Sequence, residues 1–248
     1  RIPRGESFSR GRSHCDHCRH TLAWFDLVPV FSWLQLRGKC RYCKKQISAY
    51  HPLVEVTTGI TFVVFTWVLA HSLVLFSPFF LFAFAYFIFL FSALLVIFFT
   101  DLKYGIIPFK VVSFGVVVAL LWYLLPLVIP SLSEMSQREY FISALLSGLG
   151  AFAAFFLLFL ATRGRGLGFG DVVFVFLMGF ALGFPKIILG MYIAFVSGAI
   201  ISVILVWIGK KKLKGETIPF GPFLVAGTAI SLLWGEYLIA AILFFLMR

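Results

Sequence analysis

The run PFFLFAFAYFIFLFSALLVIFFTD, from Pro78 to Asp101, is a long apolar stretch closed by an acid. About 20 such residues make a helix able to cross a hydrocarbon core of about 30 Å. Working outward, similar runs occupy 53–71, 107–130, 140–162, 170–185, 187–209 and 221–247, that at 170–185 being the shortest and holding Asp171. The chain is 61% hydrophobic and 12% charged, against roughly 45–50% and about 25% in soluble domains. Water-soluble α/β and all-β folds are thereby excluded. The fold class predicted is an all-α polytopic membrane protein with about seven transmembrane helices in residues 53–248. A polar, cysteine-bearing segment precedes them at 1–52.

A net charge of +11 would suit a nucleic-acid binder, but the placement of the charge argues for topology instead. If 1–52 is cytoplasmic, alternation of the spans puts the loops near 101–110, 162–170 and 209–220 on the same side. Of the 21 Lys and Arg, only Arg138, Lys186 and Arg248 then fall outside. That is the positive-inside pattern, and a span missed or added would invert every later loop. The reading therefore predicts a multi-pass membrane protein with residues 1–52 on the cytoplasmic side, with lipid and not nucleic acid as its surroundings. Lys210, Lys211, Lys212 and Lys214 suit anionic headgroups, although an inside loop explains them as well. The chain opens Arg1-Ile2-Pro3-Arg4, with no Met and no apolar run to read as a signal peptide, so a leading segment is expected before it.

All four cysteines lie in the polar segment, as Cys15-Asp16-His17-Cys18 and Cys40-Arg41-Tyr42-Cys43, with 21 residues between the pairs. Two thiolates spaced so can ride one turn and meet a tetrahedral ion from one side, while the second pair closes it from the other. Four ligands leave no open position, so the expected zinc is structural. Two disulfides are the alternative, disfavoured in a reducing compartment. His14, His17 and His20 read as solvated loop residues, although each is a potential ligand. A segment of about 50 residues has little core, and a metal would supply folding free energy.

Four acids fall within or against apolar runs: Glu55, Asp101, Asp171 and Glu236. Two crossings separate Asp101 from Asp171, which returns the chain to the same face. Carboxylates close together do not both ionise cheaply and tend to share a proton. The ionised member can take a proton from water while the protonated one donates to a carbonyl oxygen, which is aspartyl peptide hydrolysis. Gly168 and Gly170 would let an extended substrate approach the backbone before Asp171. The plainer readings are a helix-end Asp101 paired with Lys103, and an Asp171 capping a helix N-terminus. Glu55 is given a supporting role and Glu236 none.

Gly168-Phe169-Gly170-Asp171 resembles the GxGD signature of the bacterial type IV prepilin leader peptidases, membrane aspartyl proteases. The resemblance extends through Arg1-Ile2-Pro3-Arg4-Gly5-Glu6-Ser7, both cysteine pairs, Trp24-Phe25-Asp26-Leu27-Val28-Pro29-Val30, Tyr50-His51-Pro52-Leu53-Val54-Glu55, Asp101 to Pro108, and Ile218-Pro219-Phe220-Gly221-Pro222-Phe223. It implies about eight helices, the first of them absent from this chain. It also implies Asp101 and Asp171 as catalytic residues, and prepilins or pseudopilins as substrates, cut after a short basic leader. Many members of that family also methylate the new amino terminus with S-adenosylmethionine, and no nucleotide-binding fingerprint here supports this separately. Val173 stands where the family frequently has Lys, and Phe109 where an acidic or amide residue is common. Two other classes compete with the peptidase: a noncatalytic zinc-binding scaffold for pilus or secretion assembly, and a proton-relaying transporter.

Overall fold

A computed structural model describes residues 11–72, 78–128, 137–209 and 218–247. The Arg1–Ser7 motif, Lys210, Lys211, Lys212, Lys214 and Arg248 lie outside the described residues. Two compact units are present, Arg1–Leu69 and Ala70–Arg248. Among the described residues the elements are helices, plus two isolated antiparallel bridges.

In the first unit a 3-10 turn, Trp24–Leu27, precedes the short helix α1, Phe31–Gln35, and the long helix α2, Tyr50–Ser72. Val30, between the turn and α1, has φ 62. That backbone is unusual for a β-branched residue, and it is held by a 2.7 Å hydrogen bond from the Val30 N–H to Glu55 Oε2 on α2.

The second unit comprises α3 (Pro78–Tyr104), α4 (Phe109–Val128), α5 (Gln137–Thr162), α6 (Phe169–Leu182), α7 (Lys186–Trp207) and α8 (Gly221–Leu246). Together with α2 they are the seven expected apolar helices. By length and composition α2, α3, α5, α7 and α8 are able to cross a membrane, whereas α4 and α6 are shorter apolar helices. The protein is a multi-pass membrane protein.

The largest difference from expectation is α6. It stops at Leu182 rather than near 185, because Gly183 turns the backbone to φ 65. Its 14 residues span about 21 Å. Nine of them, from Val172 to Leu182, are buried, so α6 packs against protein and need not match the lipid thickness.

Lipid offers no hydrophobic drive between helices, so association relies on close fit. Small residues supply it at two crossings. A methyl added at Gly179 of α6 would meet the Ser147 carbonyl of α5 at 2.6 Å and Gly148 Cα at 2.7 Å. Gly227 of α8 lies directly on the Gly190 carbonyl of α7. The hydroxyls of Ser92, Thr100, Ser197, Ser202 and Thr228 donate to carbonyls one turn back, as polar groups in lipid must find partners within the protein.

Three sets of residues between helices fall at one end of this unit: 105–108 between α3 and α4, 163–168 between α5 and α6, and the described residues 208–209 and 218–220 that flank α7 and α8. Asp101 and Asp171 both belong to this end.

Candidate metal centre and candidate active site

The two cysteine pairs are two copies of one backbone turn. The Cys15 N–H donates to the His20 carbonyl and the Arg19 N–H to the Cys15 carbonyl, each at 3.0 Å. Twenty-five residues on, the Cys40 N–H donates to Lys45 O at 2.9 Å and the Lys44 N–H to Cys40 O at 3.0 Å. Arg19 and Lys44 take the same left-handed conformation, φ 58 and 59. Bridges His14–Thr21 and Lys39–Gln46 close the two turns. Further out, Leu22 N–H meets Ser13 O at 2.8 Å and Ile47 N–H meets Gly38 O at 2.7 Å. The sequence reading found no internal repeat, because across the two copies little beyond the cysteines and one following cation is shared.

This doubled turn aims four sulfurs at one point. All four lie within 4.8 Å of one another, and Cys15 Sγ and Cys43 Sγ are 3.9 Å apart. All four cysteines are free thiols, and 3.9 Å is far beyond the S–S bond of about 2.05 Å, so the disulfide alternative does not hold. Zinc–sulfur bonds of about 2.3 Å in a tetrahedron put sulfurs about 3.8 Å apart, so the four cysteines fit zinc. Burial opposes ionisation of Cys15, but the backbone N–H groups of Cys18 and His17 and the neighbouring thiols outweigh it, lowering its pKa from 9.0 to about 7. Such a thiol is readily deprotonated as a ligand. His20 instead stacks on Tyr42, with ring centroids 3.7 Å apart.

A residue without a site role in the sequence reading clamps the second turn. Asp26 accepts hydrogen bonds from Arg41 Nε at 2.8 Å, Tyr42 Oη at 3.0 Å and the Ala23 N–H at 3.2 Å. Arg41 and Tyr42 are the two residues between Cys40 and Cys43. Burial of the Asp26 carboxyl would raise its pKa, yet these donors, Arg41 foremost, hold it below the ordinary 3.8.

At the carboxylate end of the second unit, Asp101 is 5% exposed. Its Oδ2 accepts the Gly221 N–H at 2.9 Å. Gly221 opens α8, where the first N–H groups have no partner within the helix and the dipole favours an anion. A methyl on Gly221 would sit 2.6 Å from Asp101 Oδ2, so only glycine lets this carboxylate reach the helix end.

Asp171 sits in the first turn of α6, at the third helical position rather than at the cap. Its Oδ2 reaches back to the Gly168 N–H at 3.1 Å, one half of a capping box. Gly170 packs against Ile107 of the α3–α4 connection, where an added methyl would meet Ile107 Cβ at 3.0 Å. A residue of the connection that follows Asp101's helix and the residue before Asp171 thus touch. Folding has placed two acids 70 residues apart in sequence at the same end of the bundle.

The other two acids have partners of their own. Glu55 holds the Val30 N–H in the first unit. Glu236 pairs with Lys186 Nζ at 2.7 Å, about 22 Å along α8 from Gly221 and so well away from Asp101.

Comparison with known proteins follows the same division. Residues 1–69 match the bacterial peptidase A24 N-terminal domain, and 88–203 match the type IV leader peptidase family. A Burkholderia pseudomallei (strain 1026b) protein named prepilin leader peptidase/N-methyltransferase is 33% identical over 226 residues, covering 90% of this chain and 67% of that protein. Proteins of the same name from Stutzerimonas stutzeri and Bacillus subtilis (strain 168) are 29% and 28% identical. These matches cover 98% and 97% of this chain and 79% and 88% of those proteins. No solved structure matches. With its tetracysteine unit joined to a bundle that carries a GxGD acid beside a second acid, the chain belongs to the type IV leader peptidase family.

Proposed function

We propose that the chain is a membrane aspartic endopeptidase that cleaves the leader from prepilins or pseudopilins, with Asp101 and Asp171 as its catalytic pair. The observation that supports this most is the convergence of two helix-end carboxylates, Asp101 buried on the Gly221 N–H and Asp171 half-buried on the Gly168 N–H, at a single end of the bundle. The two share a proton. The ionised carboxylate removes a proton from a water molecule as the water oxygen attacks the scissile carbonyl carbon, and the protonated carboxyl donates to the carbonyl oxygen. The resulting tetrahedral species collapses as the leaving nitrogen takes up a proton from the pair. Cleavage of a prepilin by purified protein tests the assignment, since undiminished cleavage by Asp101→Asn or Asp171→Asn would refute it.

In this reading the charge pattern puts the carboxylate end and residues 1–52 on the cytoplasmic side of the inner membrane. Cys15, Cys18, Cys40 and Cys43 hold a structural zinc, which would lock the first unit without touching substrate. Methylation of the new amino terminus is part of the proposal because the relatives bear the N-methyltransferase name. The donor would be S-adenosylmethionine, for which no cluster among the described residues singles out a site. Mass measurement of the product amino terminus, with and without that donor, tests it.

A further inference from the structure

The segment from Trp24 to Leu34 is built inside out. Its polar groups are turned inward and engaged. The Asp26 side chain is 4% exposed and holds three donors. Ser32 is buried and donates to Val28 O at 2.8 Å. Trp33 Nε1 donates to Ile47 O at 3.2 Å. The apolar side chains face out, with Trp24 77%, Phe31 62% and Leu34 59% exposed and Phe25, Leu27 and Val28 also exposed. A rigid loop whose hydrogen bonds present a run of aromatic and aliphatic side chains marks an interaction surface.

Two observations identify what covers it. The Glu55 bond to Val30 fixes the middle of the segment beside the second turn of α2, a helix able to cross a membrane that starts at Tyr50. The loop is therefore level with the point where the chain enters lipid. Around it Arg37, Lys39, Lys44 and Lys45 are exposed cations, with Arg37 donating its N–H to Leu34 O at the foot of the apolar face. Aromatic side chains beside exposed Lys and Arg are the composition of a headgroup-level anchor.

We propose that residues 24–34 lie in the surface of an anionic bilayer, with Trp24, Phe31 and Leu34 among the acyl chains and Arg37, Lys39 and Lys44 at the headgroups. The face then serves as a second, non-spanning membrane attachment of the tetracysteine unit. It sets the height of the unit above the lipid.

The test uses the full chain in nanodiscs of phosphatidylcholine with phosphatidylglycerol, with a nitroxide amino acid placed at position 24, 31 or 44. Collisions with oxygen and with a water-soluble nickel chelate are compared. At 24 and 31 oxygen accessibility is expected to exceed nickel accessibility by about threefold or more, with the order reversed at 44. Nickel access at both 24 and 31 overturns the proposal. So does exclusion of both reagents, which means protein covers the face, or dipolar broadening relieved by dilution with unlabelled protein, which means a second copy does. If the labelled proteins lose zinc, brominated phosphatidylcholine replaces the nitroxide. Quenching must then fall in Trp24→Phe relative to the unsubstituted chain, and equal quenching rejects the anchor.

Discussion

In the tetracysteine unit one backbone turn, used at 15–20 and again at 40–45, places four like atoms around a point. At the carboxylate end, two unlike helix ends, the last turn of α3 and the first turn of α6, are brought together by Gly221 and Ile107. The first arrangement is closed: all donors face one another, and nothing is left for a fourth-position substrate. The second is made of connections between helices, each carboxylate tethered through one oxygen to a backbone N–H. A closed set suits stability and an open one suits chemistry, so substitutions in the two regions should separate folding from turnover.

The largest expected effect lies in the closed set. Cys40→Ser, or chelation, should remove zinc and unfold the first unit, a loss on the order of 10 kcal/mol, read by metal analysis and by the melting transition. Retention of metal with unchanged melting would erase the contrast. In the open set, Asp101→Asn and Asp171→Asn should each lower prepilin cleavage by about 10³-fold or more while leaving zinc content intact.

A smaller effect sharpens the comparison at its packing. Gly221→Ala should lower cleavage by about tenfold to a hundredfold and cost about 1–3 kcal/mol, since the methyl displaces the Asp101 carboxylate. Gly150→Ala, where an added methyl meets nothing within 4 Å, should leave cleavage unchanged. Smallest is Asp26→Asn, at about 1–3 kcal/mol for lost hydrogen bonds to a charged group. Because folding lowers the Asp26 pKa, its contribution is full above 3.8 and fades as pH falls below that value. Melting curves of the two proteins should therefore differ at neutral pH and converge in acid.

The membrane helices were legible because apolar length is a local property, and the tetracysteine cluster because its spacing is. Asp101 and Asp171 could be placed at one face by counting crossings. Their partners could not. Gly221 lies 120 residues from Asp101, and nothing in Pro219-Phe220-Gly221-Pro222 marks its N–H as the one that meets a carboxylate. The length of α6 was overread because Val, Phe and Leu continue the apolar run up to the Gly183 turn. Gly170 was read as room for substrate, and its packing against Ile107, 63 residues earlier in the chain, is a contact that no local pattern marks. Asp26 was quoted only within a motif, since a clamp on Arg41 and Tyr42 depends on a turn 15 residues away.

The shortness of α6 bears on where water must come from. Its 14 residues, about 21 Å, fall about 9 Å short of a 30 Å hydrocarbon layer. If both acids work at the cytoplasmic face, as proposed, the first turn of α6 would form the floor of a dimple in the inner leaflet that water enters without passing through oil. A scissile bond would then have to dip into that well to be cut, which would restrict the enzyme to chains that can unwind beside the membrane surface.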